Sequence, residues 1–183
     1  MGRDPPDVHD AIFLTLHARK GRKNGRRALQ KLIYMWSNHI SSLEDVDFKP
    51  YYFGPYSARL AMAVDEMIAF GFVDETRVKG THYNKFYTLT EDGKNIAGTA
   101  AIEYQREFDG IRRIIDACDR HNSLKSRPVP NVDMLHYMLS DLPGTRADKS
   151  PASTIKGARE LGWKLTKNGI ERGTRLLEEL KLG

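Results

Sequence analysis

The stretch from Ser57 to Gly93 constrains this chain most, because it specifies three kinds of local structure in a fixed order. Ser57 suits a helix N-cap, and Leu60, Ala63, Val64, Met67 and Ile68 recur at the spacing of one buried helix face until Gly71, a natural left-handed stop. Ala58, Arg59, Met62, Asp65, Glu66 and Ala69 then fall on the outward face. Two β-prone runs follow, Phe72 to Val78 and Tyr83 to Leu89, around the tip Lys79-Gly80-Thr81-His82, and this pattern predicts a hairpin. Thr90 caps a further helix, with Glu91 and Asp92 in the first turn, where the helix dipole favours acids.

The residues upstream supply the rest of such a unit. Pro5-Pro6 and Asp7 open a helix that runs through Val8, Ala11, Ile12, Leu14 and Leu16 to about Arg19. After Gly21 and Gly25, a second helix starts near Arg26 and buries Leu29, Leu32, Ile33, Trp36 and Ile40. Helical rotation places Arg27, Lys31 and Tyr34 on the opposite side, as an exposed ridge. Val46 to Phe53 reads as a short strand and Gly54-Pro55 as its turn.

The expected fold is therefore mainly α with a small β-hairpin: a winged helix-turn-helix over residues 1–98, followed by a helical C-terminal region over 99–183. That region is expected to hold a long helix over 95–121, a linker over 122–130 and short helices over 131–181. Tyr104, Phe108, Ile111, Ile115 and Cys118 step by four and three along the long helix. Such a seam either pairs two chains or is covered within one.

Charge narrows the partners. The net charge is +5, with seven basic groups and no acid between Arg19 and Lys31. A run of this kind is either a solvated face or a contact for phosphate. Mean hydropathy is −0.55, no stretch approaches a membrane span, and no secretory leader is visible, so a soluble, cytoplasmic protein is expected. The single Cys118 excludes an internal disulfide framework and any multi-cysteine metal site, and none of the six histidines stands at the i, i+4 spacing that would put two on one helix face. Phosphate-loop, nucleophile-elbow and dinucleotide motifs are missing, so neither an enzyme nor a cofactor is expected. The acids Glu44, Asp45 and Asp47 read as a solvated loop and Cys118 as a small buried side chain. Tyr51-Tyr52-Phe53-Gly54-Pro55-Tyr56 could stack bases. Its position at a strand end, beside Tyr34 and Trp36, favours packing for most of it.

Gly25-Arg26-Arg27-Ala28-Leu29-Gln30-Lys31-Leu32-Ile33-Tyr34, followed by Tyr51-Tyr52-Phe53-Gly54-Pro55-Tyr56-Ser57, resembles the paired motifs of the YwgA-like group of small prokaryotic proteins. More distantly it is similar to the Panacea or SocA-like antitoxin domains. Gly71-Phe72-Val73 and Tyr87-Thr88-Leu89-Thr90-Glu91-Asp92-Gly93 resemble the winged-helix punctuation of PadR-like and MarR-like regulators. The resemblance covers residues 8 to 98. It implies a winged-helix fold and a regulatory role, without well-defined catalytic residues. Beyond about residue 125 only Leu161-Gly162-Trp163 and Leu176 to Leu180 match.

The functional expectation is a DNA-binding winged-helix protein and transcription regulator, acting as a homodimer on double-stranded DNA. Arg22, Lys23, Arg26, Arg27 and Lys31 would contact phosphate, Ser57 and Arg59 would border the major groove, and Arg77, Lys79, His82 and Lys85 would form the wing. The alternative is a protein-interaction module of antitoxin or adaptor type without direct DNA binding, favoured by the low positive charge of the outward face of the third helix.

Overall fold

The computed structural model describes residues 4–20, 24–77, 85–121, 132–141 and 150–181. The chain divides into two compact units: Met1–Phe48 with Ser57–Ile115, and Lys49–Tyr56 with Asp116–Gly183.

The first unit opens with α1, Val8–Ala18, started by a capping box in which the Asp7 carboxylate accepts from the His9 and Asp10 amides while Asp10 accepts from the Asp7 amide. The two-residue strand β1, Asn24–Gly25, leads into α2, Arg26–His39. Then come α3, Ala58–Ala69, the strands β4, Val73–Arg77, and β5, Lys85–Leu89, and helix α4, Glu91–Glu103. Helix α5 spans Gln105–Arg120. Strand order is β1-β5-β4, antiparallel throughout, with Gly25 opposite Phe86 and Arg77 opposite Lys85. Helix α1 is packed by α2, α3, α4 and β5, around a core of Ile12, Leu14, Leu32, Ile33, Trp36 and Leu60. Three helices feeding a sheet-borne hairpin make this a winged helix-turn-helix, with further helices following it along the chain.

Local chemistry explains the element ends. Ser57 caps α3 by accepting from the Leu60 amide at 3.2 Å, and Gly71 takes φ +75° at its far end, where a side chain would be strained. Thr90 caps α4 through the Gly93 amide at 3.1 Å and donates its hydroxyl to the Gly71 carbonyl at 2.8 Å.

The second unit holds the strands β2, Lys49–Tyr51, and β3, Gly54–Tyr56, which pair with each other. It continues with α6, Val132–His136, a π-helical turn over Tyr137–Asp141, α7, Pro151–Glu160, and α8, Lys167–Lys181. Glycines let these pieces approach: a β-carbon on Gly173 would lie 2.7 Å from Leu135, and one on Gly157 would lie 2.7 Å from Met138. The Trp163 indole donates to the Tyr51 carbonyl at 2.6 Å, and Glu179 is held by Arg120 and by His121, the latter at 3.0 Å.

Four features depart from the sequence reading, and the seam takes the second of its two alternatives, covered within one chain. The single strand over 46–53 is a hairpin whose turn is Tyr52-Phe53; Gly54, at φ +117°, begins its second strand rather than turning the chain. The helix expected over 95–121 breaks at Tyr104, which leaves helical geometry with ψ 45°. There Tyr104 is buried and its hydroxyl bonds the Asp10 carboxylate, a tertiary contact that no glycine or proline announces. Tyr34 is not on an exposed ridge: it is 1% exposed and meets Phe48 edge-on at 5.2 Å. Tyr104, Ile111, Ile115 and Cys118 of the seam are buried in the folded chain, and Phe108 lies against the His17 ring at 5.4 Å, so the seam offers no apolar strip to a second copy. Finally, β1 carries a turn-like Asn-Gly sequence and becomes a strand only because β5 pairs with it. The linker expected over 122–130 lies outside the described residues.

Candidate interaction surface

The two sequence motifs meet in one joint. Gln30, buried on α2, donates its side-chain amide to the Ser57 carbonyl at 3.0 Å and accepts the Ser57 amide at 2.9 Å. This sets the start of α3 against α2, so the outer face of α3 is presented by a rigid frame.

The residues expected to contact DNA are placed unequally. Arg22, Lys23, Lys79 and His82 lie outside the described residues. Arg26 and Arg27 are exposed in the first turn of α2, whose N-cap Gly25 provides no side-chain cap and whose first turn holds no acid. That helix end carries partial positive charge. Lys31 follows one turn later, partly covered. Arg26 also borders a recess of about 10 Å³ with Gln30, Leu60, Ala61, Val64 and Tyr87, which has room for at most one water. It therefore lies beside the N-terminal half of α3 and beside β5. Arg77 and Lys85 face each other across the wing and both engage Glu75, at 3.1 and 2.8 Å. Burial pushes the Glu75 carboxyl up, but the hydrogen bonds from Lys85 and Arg77 outweigh it and hold the group below its ordinary value.

Ser57 is not a groove contact. It is 0% exposed, with its hydroxyl, amide and carbonyl all engaged, because a buried cap must satisfy its own polar atoms. Arg59 is half-buried, and its guanidinium lies 3.3 Å from Glu66, whose carboxylate is also 2.7 Å from His9 Nε2. The hydrogen bond from His9, then that from Arg59, holds the Glu66 carboxyl below its ordinary value.

What α3 shows to solvent is thus Ala58, Met62, Asp65 and Ala69, one stripe along the helix, and Phe70 is exposed at its C-cap. Met62 is 58% exposed and Phe70 is 74% exposed. The Phe70 ring rests on Phe72, and Phe72 rests on Phe13, with centroids 6.3 and 5.9 Å apart. Asp74, Glu91 and Asp92 are exposed on the elements that follow, and Thr90 ties the start of α4 to the Gly71 and Phe72 carbonyls. The helical spacing of Met62, Asp65 and Ala69 was readable from sequence. The exposure of Phe70 and of these acids was not, because α4 is brought there by Thr90.

A second exposed apolar feature belongs to the other unit. Tyr51, Tyr52 and Phe53 are all exposed, against the packing role expected for most of this cluster, while Gly54 and Pro55 are buried. A hairpin tip has too few neighbours to cover three consecutive rings. Among the described residues, no group of His, Cys, Asp and Glu converges as a metal site, and no helix is long and apolar enough to cross a membrane.

No protein-family model matches this chain. It is 28% identical over 173 residues, 93% of its length, to the protein named "Uncharacterized protein YwgA" of Bacillus subtilis (strain 168), of which the match covers 95%. The likeness runs through both units and is not confined to the winged helix.

Proposed function

We propose that this chain is a protein-interaction module of adaptor type, cytoplasmic and without catalysis of its own, that uses its winged helix to dock a partner protein. One observation carries this reading. The helix that would read bases carries Ala58, Met62, Asp65 and Ala69 outward, while Arg59 is tied to Glu66 and Ser57 is buried. Base recognition in the major groove needs donors such as arginine or asparagine, and an outward carboxylate repels phosphate. Exposed methionine and phenylalanine are the side chains enriched in protein interfaces. The resemblance to Panacea or SocA-like antitoxin domains agrees with this reading. The test places a photoreactive amino acid at position 62 in cells, identifies the adduct by mass spectrometry, and repeats the binding with both purified proteins. A protein adduct whose purified complex is lost with Met62→Asp supports the module; adducts to nucleic acid alone refute it.

Duplex DNA is the second reading, supported by Arg26 and Arg27 at an uncapped helix start beside β5. If phosphate contacts dominate, log affinity falls against log salt with a slope of about −0.9 per neutralised phosphate. Replacing Arg22, Lys23, Arg26 and Arg27 by alanine would flatten that slope. Absence of binding at low salt removes this reading.

A further inference from the structure

We infer that the partner segment seated on α3 is a basic amphipathic helix, with apolar side chains on Met62 and Phe70 and a lysine or arginine against Asp65. The inference rests on the protein-interaction reading and adds the chemistry of the partner. Its first support is spacing. Met62 on α3 and Phe70 at its C-cap are eight residues apart, about 12 Å along the axis and about 80° apart in rotation, so they offer two separate apolar contacts to an opposing segment. Ala58 and Ala69 lie on the same stripe as Met62, and side chains this small let a second backbone approach closely.

The second support is charge. Asp65 sits exposed in the middle of the stripe, and among the described residues it has no ion-pair partner, unlike its neighbour Glu66, which His9 and Arg59 hold. More acids lie on the elements that follow Phe70. The Thr90 amide donates to the Phe72 carbonyl at 3.1 Å and its hydroxyl donates to the Gly71 carbonyl, which ties the start of α4, with Glu91 and Asp92, to these carbonyls, and Asp74 follows Phe72 by two residues. Lys94 offsets Glu91 at 3.0 Å, while Asp74 and Asp92 are exposed without an ion-pair partner among the described residues. An apolar stripe with an exposed, unpaired carboxylate at its middle selects a cationic, apolar segment over an acidic one.

The full-length chain is panned against a display library of random peptides of about 18 residues, long enough for a marginally stable isolated helix. Wild type and Asp65→Lys are panned in parallel, and their circular dichroism is compared, position 65 being exposed. Wild type is expected to enrich peptides with a lysine or arginine between two apolar positions seven or eight apart. Asp65→Lys should weaken those peptides about tenfold and shift its own selection to acidic residues at the same place. Enriched peptides that lose binding on Met62→Asp yet show no charge preference overturn this inference and leave the protein-interaction reading standing. Peptides indifferent to both Met62 and Asp65, or none enriched at all, overturn the inference. Capture of the chain by itself through this face, with acidic partner residues, overturns it as well.

Discussion

Replacing Gln30 by leucine tests the joint that sets α3 on α2. The carboxamide makes two buried hydrogen bonds, 3.0 Å to the Ser57 carbonyl and 2.9 Å from the Ser57 amide, with Gln30 6% and Ser57 0% exposed. The two losses are unequal. The Ser57 carbonyl still accepts from the Ala61 amide at 3.2 Å, whereas the Ser57 amide has no second acceptor among the described residues. A buried amide left without an acceptor costs about 1–3 kcal/mol, and the weakened carbonyl adds up to about 1 kcal/mol. Leucine recovers roughly 1 kcal/mol by burying more apolar surface. The net is a loss of about 2 kcal/mol, or a fall in Tm of about 4–8 °C for a chain of this size. Urea unfolding followed by circular dichroism measures the total, and amide exchange at Ser57 reads the site itself. Gln30→Glu gives a second reading with a definite sign. Its carboxylate could accept the Ser57 amide but would oppose the Ser57 carbonyl unless protonated, and burial raises its folded pKa. That variant should be most stable below the ordinary glutamate value of about 4.3 and lose stability as pH rises through the folded value. A leucine variant within about 0.5 kcal/mol of wild type, with Ser57 exchange unchanged, would refute the reasoning.

Gly54→Ala should destabilise the second unit by roughly 2–5 kcal/mol, since φ is +117° and the new β-carbon would lie 2.6 Å from Asp133 Oδ2; adding Asp133→Ala should recover only part of this in urea unfolding. Ile111→Asp should unfold the chain rather than dissociate a dimer, because Ile111 is 0% exposed; circular dichroism with light scattering separates the outcomes. Glu75 is held below its ordinary value, so its contribution is present above about pH 4.3 and is lost as pH falls through its folded value. Glu75→Gln should therefore flatten the acid limb of a urea-midpoint profile, and an unchanged limb would count against the Lys85 and Arg77 contacts.

The helices α1, α2 and α3, the start of α4 and the wing strands were legible from sequence because their caps and apolar spacing are local: Asp7, Ser57, Gly71 and Thr90 each act within one turn of the element they bound. The same periodicity listed Met62, Asp65 and Ala69 as outward, which is the core of the proposed surface. Long-range pairing decided the remainder. Asn24-Gly25 is a strand only through β5, the hairpin at Lys49–Tyr56 keeps its form with Gly54 against Asp133, and the Tyr104 break depends on Asp10, far away in sequence. Which cations remain available to a ligand was likewise a tertiary outcome. Ser57 and Arg59 read as polar surface until Gln30, Glu66 and His9 were placed beside them. A residue's type sets what it can bond, but its availability depends on which partners the fold brings within about 3 Å, and those partners come from any distance along the chain.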